Sequence, residues 1–339
     1  MSVLVTGGAG FIGSAVCQAL DAAGRPMVVF DRALEPRDDV CDYARVLAAL
    51  DGCDTVVHLA AKVGLGVDLF DIDDYVRQND LGTAVVLRAA AAAGVRRIVY
   101  ASSMVVYGEG AYACPDHGAV APPPRSESDL ARGHFDPPCP HCGRDLTPGL
   151  VPETAALDPR NVYAATKAHG EQLLRSWCRE SGGQASALRF HNVYGPGMPR
   201  NTPYAGVASL FRASLEQGQP PQVFEDGGQR RNFIHVEDVA RAVLAASVVE
   251  LPPQLTSVNI GSPRVTTIGE MAQALSNALA GPAPVITGRY RLGDVRHITA
   301  DCSAAETVLG WRAGIGLADG IASVLADTAG REATDPSQR

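Results

Sequence analysis

Short runs of β-branched and apolar residues alternate with helical stretches through the first half of the chain, and this alternation limits the possible folds more than any other feature. The predicted strands are residues 3–6, 27–30, 55–59, 97–102 and 185–190. The predicted helices are residues 11–23, 43–50, 81–93 and 163–179. Because a helix between two parallel strands forms a right-handed crossover, the pattern predicts an α/β fold with a doubly wound parallel sheet.

The second half of the chain loses this alternation. After about Gly195, glycine and proline interrupt shorter elements: helices at 205–216, 237–246 and 268–279, and an extended segment at 232–236. We expect residues 1–190 to form the sheet domain, 191–330 to form mainly a smaller substrate-binding lobe over the carboxyl edge of the sheet, and 331–339 to be a disordered tail. With 339 residues and 46% hydrophobic content, the chain can bury cores of that size.

Charge and composition argue against several classes of function. The net charge of −8, from 37 acidic and 29 basic residues, provides no basic surface for nucleic acid or for an anionic membrane. The first residues lack the pattern of a leader peptide, and no segment is apolar enough to span a bilayer. Five of the eight cysteines are scattered singly, which suits a reducing cytosol. We therefore predict a cytoplasmic protein whose anionic ligands are held by a few local cations.

A glycine-rich turn follows the first predicted strand. Gly7, Gly10 and Gly13 surround Phe11 and Ile12 at the start of the first predicted helix. Glycines at these positions permit a tight turn and let a pyrophosphate approach the helix N-terminus. With a strand before it and a helix after it, this turn has the context of the Rossmann dinucleotide-binding fingerprint.

The residues after the second predicted strand indicate the type of dinucleotide. Asp31 lies eighteen residues after Gly13, where a carboxylate accepts hydrogen bonds from a ribose 2′-hydroxyl and repels a 2′-phosphate. Asp31 therefore favours NAD over NADP, although the neighbouring Arg32 is able to accommodate a phosphate. Asp39 and Val40 precede the next helix and are candidates for contact with the adenine edge.

Tyr163 and Lys167 lie four residues apart on a predicted helix, so their side chains share one face. An ammonium group near a phenol favours the phenolate and lowers the tyrosine pKa, which allows Tyr163 to act as a general base and acid. Ser103 follows the end of the fourth predicted strand and offers a hydroxyl for the same chemistry.

With these residues in view, the chain resembles the extended short-chain dehydrogenase/reductase family, and within it the NAD-dependent sugar-nucleotide epimerases. The resemblance extends almost to Trp311. Its motifs are residues 6–13 (TGGAGFIG), 58–61 (HLAA), 102–108 (SSMVVYG), 163–167 (YAATK), 192–196 (NVYGP), 231–236 (RNFIHV) and 259–261 (NIG).

The resemblance implies a role for each matching residue. Ser103 would hydrogen-bond the reacting hydroxyl, Tyr163 would take its proton, and Lys167 would hold the nicotinamide ribose while NAD accepts the hydride. The implied further cofactor contacts are Leu59, Ala60, Ala61, Lys62 and Asn79. Helices near 81–93 and 163–179 would pair in a homodimer.

The resemblance also implies a nucleoside diphosphate sugar as substrate. Arg231, together with Arg291 or Arg296, would clamp the diphosphate; Asn192 would add a polar contact, and Phe224 would stack on the base. Met104 and Val105 stand where 4,6-dehydratases carry an acidic pair, so dehydration is disfavoured, and apolar side chains there favour a 6-deoxy sugar. Residues 62–68 and 102–110 and the cysteine-bearing segment resemble the dTDP-L-rhamnose 4-epimerase subfamily.

Residues 109–160 are rich in proline and glycine and interrupt the strand–helix pattern. They carry two knuckle-like pairs, Cys114 with His117 and Cys139 with Cys142, each followed by a glycine. Cys/His ligands with this spacing predict a structural zinc site with four protein ligands, which would order the segment. His134 or His141 is an alternative fourth ligand, and free thiols are the alternative to a metal.

Other functions stay open on the sequence alone. An NADPH-dependent 4-ketosugar reductase uses the same Ser, Tyr and Lys, and only Asp31 argues against it. A UDP-hexose or UDP-uronate 4-epimerase differs in its substrate. A cofactor-sensing scaffold protein without catalysis is disfavoured because the chain keeps all three catalytic residue types.

Overall fold

The computed structural model describes residues 2–64, 69–199 and 206–332. Within these ranges, six parallel strands form a central sheet. Its strands are β1 (Ser2–Thr6), β2 (Met27–Phe30), β3 (Cys53–His58), β4 (Arg97–Ser103), β8 (Gln184–Phe190) and β13 (Leu255–Ile260). They lie in the order β13-β8-β4-β3-β1-β2, which confirms the predicted α/β class with a parallel Rossmann sheet.

Helices cover both faces of this sheet. The described helices are α1 (Phe11–Ala22), α2 (Tyr43–Ala49), α3 (Ile72–Tyr75), α4 (Gly82–Ala92), α5 (Glu127–Ala131), α6 (Val162–Ser181), α7 (Val207–Glu216), α8 (Val236–Val248), α9 (Ile268–Ala278), α10 (Ser303–Leu309) and α11 (Leu317–Glu332). Val3 and Val5 of β1 face a core shared with α1 and α8. Leu4, between them, faces a core shared with α2, α4 and α6. The alternation follows from the two-residue period of a strand.

The smaller lobe packs α7, α9 and α11 around a third apolar core that includes Phe211, Met271 and Leu275. Its short strands form small separate sheets among the described residues. They are β9 (Asn192–Tyr194) with β12 (Phe233–His235), β10 (Gln222–Val223) with β15 (Val285–Ile286), and β11 (Arg230–Arg231) with β14 (Thr266–Thr267) and β16 (His297–Ile298).

The proline-rich insertion has structure of its own. β5 (Tyr112–Cys114) pairs antiparallel with β6 (Gly118–Val120) and with β7 (Thr147–Pro148), and α5 precedes the second cysteine pair. A small core of Tyr112, Cys114, Cys139 and Leu146 closes it. Apolar residues are few here, so polar contacts must supply much of its order.

Several elements differ from the prediction. The strands β3, β4 and β8 are shifted or extended at their ends by one or two residues, and β12 ends at His235, whose side chain caps α8. β13, α10 and α11 were not predicted; β13 joins the main sheet, so the segment after residue 190 is not wholly a separate lobe. The predicted helix at 81–93 begins as a π-helix, Val76–Leu81, before α4.

Two predictions fall partly outside the described residues. Residues 333–339 of the predicted tail lie outside them, whereas positions 331 and 332 belong to α11. Residues 65–68 of the subfamily motif and position 205 of a predicted helix also lie outside them. In the part of the chain that is described, no helix combines the length and the apolar character needed to cross a membrane. The cytoplasmic location stays a prediction.

Candidate active site and metal cluster

A cavity of about 560 Å³ opens at the carboxyl ends of β1, β4 and β8. Its walls come from the glycine-rich turn, the loops after β2 and β3, the end of β4, the first turns of α6 and the segment at 190–193. The same cavity is lined by Ser103, Tyr163 and Lys167 and by Asp31. The fold thus brings the predicted catalytic residues and most of the predicted cofactor residues to one place, at the sheet edge where α/β proteins bind ligands.

The glycine-rich turn shows why glycine is needed. Gly7 has a φ of +73°, and an added Cβ there would lie 2.7 Å from the backbone nitrogen of Ala60. A Cβ on Gly13 would collide with the carbonyl oxygen of Gly7. Gly10 precedes α1 without a side-chain cap, and the first turn of α1 has no acidic residue. The helix N-terminus therefore keeps its backbone N–H groups and positive dipole end for an anion.

Asp31 forms the wall on the other side of this turn. One of its carboxylate oxygens accepts the backbone N–H of Ala9 at 2.9 Å, and the other accepts that of Ala33 at 2.9 Å. Arg32 lines the cavity beside it with a 52% exposed side chain and donates to the Gln78 amide oxygen at 3.1 Å. These contacts fix the carboxylate of Asp31 where a bound ribose would meet it.

Val40, predicted to contact the adenine edge, lines the cavity, and the acidic residue that lines it nearby is Asp38. Asp39 is not among the lining residues, and its carboxylate accepts the backbone N–H of Cys41 at 2.9 Å. The side chain of Asp39 therefore orders the loop before α2.

The loop after β3 contributes Leu59, Ala60 and Ala61 to the wall. Lys62 and Asn79 lie behind them. The amide of Asn79 accepts the N–H of Lys62 at 2.7 Å and donates to the carbonyl oxygen of Lys62 at 3.0 Å, while the Lys62 ammonium pairs with Asp71 and Asp74. The Asn79 amide also donates to Thr166 on α6 at 2.9 Å. These two residues hold the loop and the catalytic helix together.

The three predicted catalytic residues meet where β4 ends and α6 begins. The side chain of Asn161 caps α6 by accepting the N–H of Ala164 at 2.8 Å, which fixes the turn that carries Tyr163. Desolvation raises the pKa of Tyr163 to about 12, against which its hydrogen bond with Ser103 acts. Lys167 donates from Nζ to the carbonyl oxygen of Ala101 at 2.8 Å, and burial lowers its pKa to about 7.

The Lys167 ammonium nitrogen lies 5.9 Å from the centroid of the Tyr163 ring. A neutral phenol and a lysine close to its titration point require additional positive charge in the cavity before the phenolate becomes stable. An oxidised nicotinamide supplies such a charge when it is bound.

A buried ion pair anchors the catalytic helix one turn after Lys167. Glu171 receives two hydrogen bonds from Arg189, at 2.9 and 2.7 Å, and one from the Ser102 hydroxyl at 2.6 Å. Arg189 also donates to the hydroxyl of Tyr107 at 2.7 Å. The sequence offered one signal for this network, since Glu171 is four residues after Lys167 on the same face; nothing in the sequence indicated Arg189.

The substrate-side residues are placed unequally. Asn192 lines the cavity directly. Arg231 is buried two residues before Phe233, and Phe233 lines the cavity. The guanidinium of Arg231 donates to the carbonyl oxygens of Arg230, Val295 and Arg296 at 2.8, 2.9 and 3.0 Å. Within the described residues it has no carboxylate partner, and burial lowers its pKa. The nearby charges of Glu109, Asp294 and Glu225 act against that shift, so the charge of Arg231 is partly compensated. Arg231 itself does not line the cavity.

Arg291 and Arg296 are the two alternatives for the second cation that would bind the diphosphate. The guanidinium of Arg296 is already occupied by carboxylates. Its guanidinium binds the carboxylates of Asp136, Glu225 and Asp226 at 2.7 to 3.4 Å. Arg291 is exposed, and its guanidinium carbon lies 5.4 Å from the ring centroid of Phe224. Neither Arg291 nor Phe224 lines the cavity, so they form an outer patch.

Met104 and Val105 lie in the 3-10 turn Met104–Tyr107 that follows Ser103. The N–H of Val105 donates to Ser103 Oγ at 3.4 Å. Met104 packs against the cluster that contains Val106 and Val151, and neither Met104 nor Val105 lines the cavity. Other residues face the site instead, and the sequence interpretation did not select them: Phe190, His191, Val193, Met198 and Phe233.

Cys114, His117, Cys139 and Cys142 converge in the insertion, with their ligand atoms all within 4.8 Å of one another. Cys114 Sγ lies 3.7 Å from Cys142 Sγ and 3.4 Å from His117 Nδ1. Cys139 Sγ lies 3.7 Å from the same nitrogen. In the described chain this is the group that satisfies a metal-site geometry, with His117, and not His134 or His141, beside the thiols. None of the eight cysteines is in a disulfide.

Comparison with known proteins agrees with this geometry. The chain matches the NAD dependent epimerase/dehydratase family over residues 3–135 and 143–261; the gap contains Cys139 and Cys142. It is 33% identical to a dTDP-L-rhamnose 4-epimerase of Burkholderia thailandensis (94% of this chain, 92% of that protein) and 29% identical to a UDP-glucose 4-epimerase of Mycolicibacterium smegmatis (96% and 97%). A solved structure, MoeE5 with UDP-glucuronic acid and NAD, superposes with a TM-score of 0.78 at 30% identity, covering 98% of this chain and 100% of that one.

Proposed function

The chain belongs to the NAD dependent epimerase/dehydratase family, and we propose that it inverts C4 of a nucleoside diphosphate 6-deoxyhexose such as dTDP-L-rhamnose. One observation carries the proposal: a single cavity is lined by the glycine-rich turn, by Asp31 and by the trio Ser103, Tyr163 and Lys167. A redox cofactor and a sugar hydroxyl can therefore meet at the residues able to move a proton between them.

The residues fit NAD. The uncapped N-terminus of α1 and the crowded glycines suit a pyrophosphate, and the carboxylate of Asp31 suits ribose hydroxyls and repels a 2′-phosphate. When bound, NAD accepts a hydride from the sugar and later returns it. Since the cofactor is restored in each turnover, we expect it to stay bound through purification.

The chain's own residues carry the proton. Tyr163, as phenolate, takes the proton of the C4 hydroxyl, with Ser103 as hydrogen-bond partner, while the C4 hydride leaves the sugar. The product is a transient 4-keto sugar. It must turn within the cavity to present its opposite face, and Tyr163 then returns the proton to the C4 oxygen. Lys167 would supply part of the positive charge that stabilises the phenolate, and a bound oxidised nicotinamide would supply the rest.

The sugar identity has two supports. The relative that is 33% identical along nearly the whole chain is a dTDP-L-rhamnose 4-epimerase. The charged lining residues in the described chain are Asp31, Arg32 and Asp38 near the cofactor turn and Lys167 at the reacting end. Lys167 already donates to the Ala101 carbonyl, so a C6 carboxylate would lack a free counter-ion among these lining residues, whereas a C6 methyl would not need one. The wall of Phe190, Val193 and Phe233 suits that methyl.

The alternatives predict different substrates. A UDP-hexose or UDP-uronate 4-epimerase is favoured by the matches to proteins named UDP-glucose 4-epimerase and by the UDP-glucuronic acid complex. An NADPH-dependent ketoreductase would need a cofactor that the carboxylate of Asp31 disfavours.

Proton NMR of the purified protein distinguishes these functions. The protein would be incubated separately with dTDP-L-rhamnose, dTDP-glucose, UDP-glucose and UDP-glucuronate, with no reductant added. We expect a second anomeric signal from dTDP-L-rhamnose. Conversion of only a UDP-sugar would replace the substrate, and conversion of only a 4-keto sugar with NADPH would replace the reaction.

We also propose that Cys114, His117, Cys139 and Cys142 hold one structural zinc ion. Two thiolates on a tetrahedral zinc with bonds of about 2.3 Å have sulfurs about 3.7 Å apart. The Cys114–Cys142 distance is 3.7 Å. With four protein ligands, the site would leave no position for substrate. Elemental analysis should find about one zinc per chain, absent from Cys142→Ser but retained in Cys53→Ser.

The zinc would stabilise the substrate side from a distance. Asp136, three residues before Cys139, accepts from Arg296 and from His297 at 2.9 Å each. The carbonyl of Arg296 in turn holds Arg231. Arg125 of the insertion pairs with Glu225 at 2.8 Å and donates to the Asp294 carbonyl at 2.7 Å. We propose that the insertion is a support for the wall that carries the diphosphate cation.

Finally, we propose that the chain forms a homodimer through α4, α6 and the π-helix Val76–Leu81 that precedes α4. Val76 and Leu81 there are 45% and 49% exposed, which is unusual for large apolar side chains grouped on one surface. Light scattering should give twice the chain mass. Leu81→Arg should give a monomer, whereas Leu34→Arg, at another exposed leucine, should not.

A further inference from the structure

His191 is a buried imidazole without a partner beside the reacting groups. It follows Phe190, the residue of β8 that pairs with Ser103 of β4, so it lies just beyond the same sheet edge. Its side chain lines the cavity, and the residue is only 3% exposed. Its backbone N–H donates to the carbonyl of Ile260 at 3.0 Å, which fixes the position of the ring's attachment.

Neither ring nitrogen of His191 has a hydrogen-bond partner among the described residues. A buried donor and a buried acceptor that lack partners destabilise the site unless a ligand satisfies them. The adjacent Asn192 shows the same condition, since its side-chain oxygen is buried without a partner in the described chain. Two neighbouring polar side chains thus face one cavity with their hydrogen-bonding capacity unused.

The surroundings of His191 define which ligand atoms suit it. Burial and the charge of Arg231 lower the pKa of His191 to about 3, so the ring is neutral at working pH. A neutral imidazole has one donor and one acceptor, which matches a hydroxyl, since a hydroxyl both accepts and donates. A carboxylate would instead require a second donor or a protonated ring.

We propose that His191 is a specificity-determining residue that hydrogen-bonds a ring hydroxyl of the sugar. The proposal deepens the proposed function and rests on it. Its ligand is a hexose of a nucleoside diphosphate sugar, bound by a hydroxyl other than the one that reacts with Tyr163. His191 selects the sugar and leaves the nucleotide to other residues.

The test measures binding and turnover with matched ligands. The NAD-loaded wild type and His191→Phe, each also in the Tyr163→Phe background for binding, would be titrated with dTDP-L-rhamnose, its 2-deoxy and 3-deoxy analogues, and dTDP alone. We expect His191→Phe to weaken dTDP-L-rhamnose about tenfold and to leave dTDP unchanged. One deoxy analogue should bind about tenfold more weakly than dTDP-L-rhamnose to the wild type and equally well to His191→Phe. His191→Asn, which keeps a donor and an acceptor, should recover part of the loss.

The outcomes separate the two proposals. A wild type that neither binds the sugar portion nor converts any sugar nucleotide refutes the proposed function and the inference together. If the wild type converts one but His191→Phe keeps the same preference between parent and deoxy ligands, only the role of His191 is refuted. An equal loss for dTDP and for every sugar would mean that His191 only supports the fold of the cavity.

Discussion

The glycine-rich cofactor turn and the Cys/His insertion are held in place by different kinds of contact. The turn at Gly7, Gly10 and Gly13 is ordered by backbone contacts within a short stretch, against a sheet with apolar cores on both faces. The insertion has a small apolar core, a Cys/His cluster whose two pairs are 25 residues apart, and ion pairs to distant segments. Local sequence patterns predict the conformation of the turn. The conformation of the insertion depends on contacts between residues that are far apart in the sequence.

The difference has a functional side. A substitution in the turn acts directly on the cofactor, because the affected backbone forms its cavity. A substitution in the insertion acts through intermediates, from Asp136 to Arg296 and then to Arg231. Effects on NAD and effects on the sugar nucleotide should therefore separate.

The largest expected effect is that of Tyr163→Phe, which removes the acid/base while keeping the ring. We expect kcat to fall about 10³-fold. NAD content, measured in the denatured supernatant, should stay at the wild-type level because the cofactor cavity is intact. A variant with more than a tenth of the wild-type turnover would assign the proton transfer to another group.

Gly13→Ala tests the cofactor turn alone. The added Cβ would collide with the Gly7 carbonyl oxygen, so the turn must open. We expect the purified variant to contain little NAD and to show no turnover, with zinc content unchanged. Gly24→Ala is the control for helix ends, because a Cβ at Gly24 meets no atom within 4 Å, although its φ of +64° carries some strain. Normal NAD content in Gly13→Ala would contradict the assigned site.

Removal of the metal tests the other region. Chelation, or Cys142→Ser, should lower the melting temperature by about 5 °C or more and raise KM for the sugar nucleotide. NAD content should be unchanged. Cys53→Ser controls for loss of a thiol. If the chelator changes neither the melting temperature nor KM, the proposal of a structural zinc is refuted.

Asp136→Asn tests the link between the insertion and the substrate wall. The carboxylate is half-exposed and binds both Arg296 and His297, and these contacts hold its pKa far below the usual range. Losing its charge should raise KM about fivefold, the effect expected for a partly exposed ion pair, with kcat nearly unchanged. Asp129→Asn, whose partners Ser126 and Arg132 lie within the insertion, should leave KM unchanged. Equal effects of both substitutions would argue against the link.

The smallest expected effect is the change in the pH dependence of stability caused by Lys167→Met. The folded pKa of Lys167, about 7, is below that of the unfolded chain, so the unfolded chain binds an extra proton between pH 7 and about 10. The wild type therefore loses stability as pH falls through that range, and the variant does not. We expect the cofactor-free variant to melt on the order of 3 °C higher relative to wild type at pH 7.5 than at pH 9.5. No pH dependence of this difference would contradict the low pKa.

The sequence predicted the fold class correctly and selected residues that the fold brings to one cavity, for a local reason. Strand and helix periodicity, the glycine turn and the Tyr163–Lys167 spacing all act within one or two helical turns or strands. Even the Cys/His ligands could be named, since each pair is only three residues apart. The prediction missed β13, α10 and α11, where flanking glycine and proline hid the pattern.

What the sequence alone determined was the parallel sheet, the glycine-rich turn and the set of candidate reacting side chains, because these depend on backbone geometry and on spacing along one element. The tertiary structure decided which of the remaining polar residues are available. It saturates Arg296 with three carboxylates, keeps Arg231 among carbonyls, and leaves His191 unpartnered in the cavity. Hydrogen-bond partners and burial come from segments far apart in the chain, so no local pattern contains them.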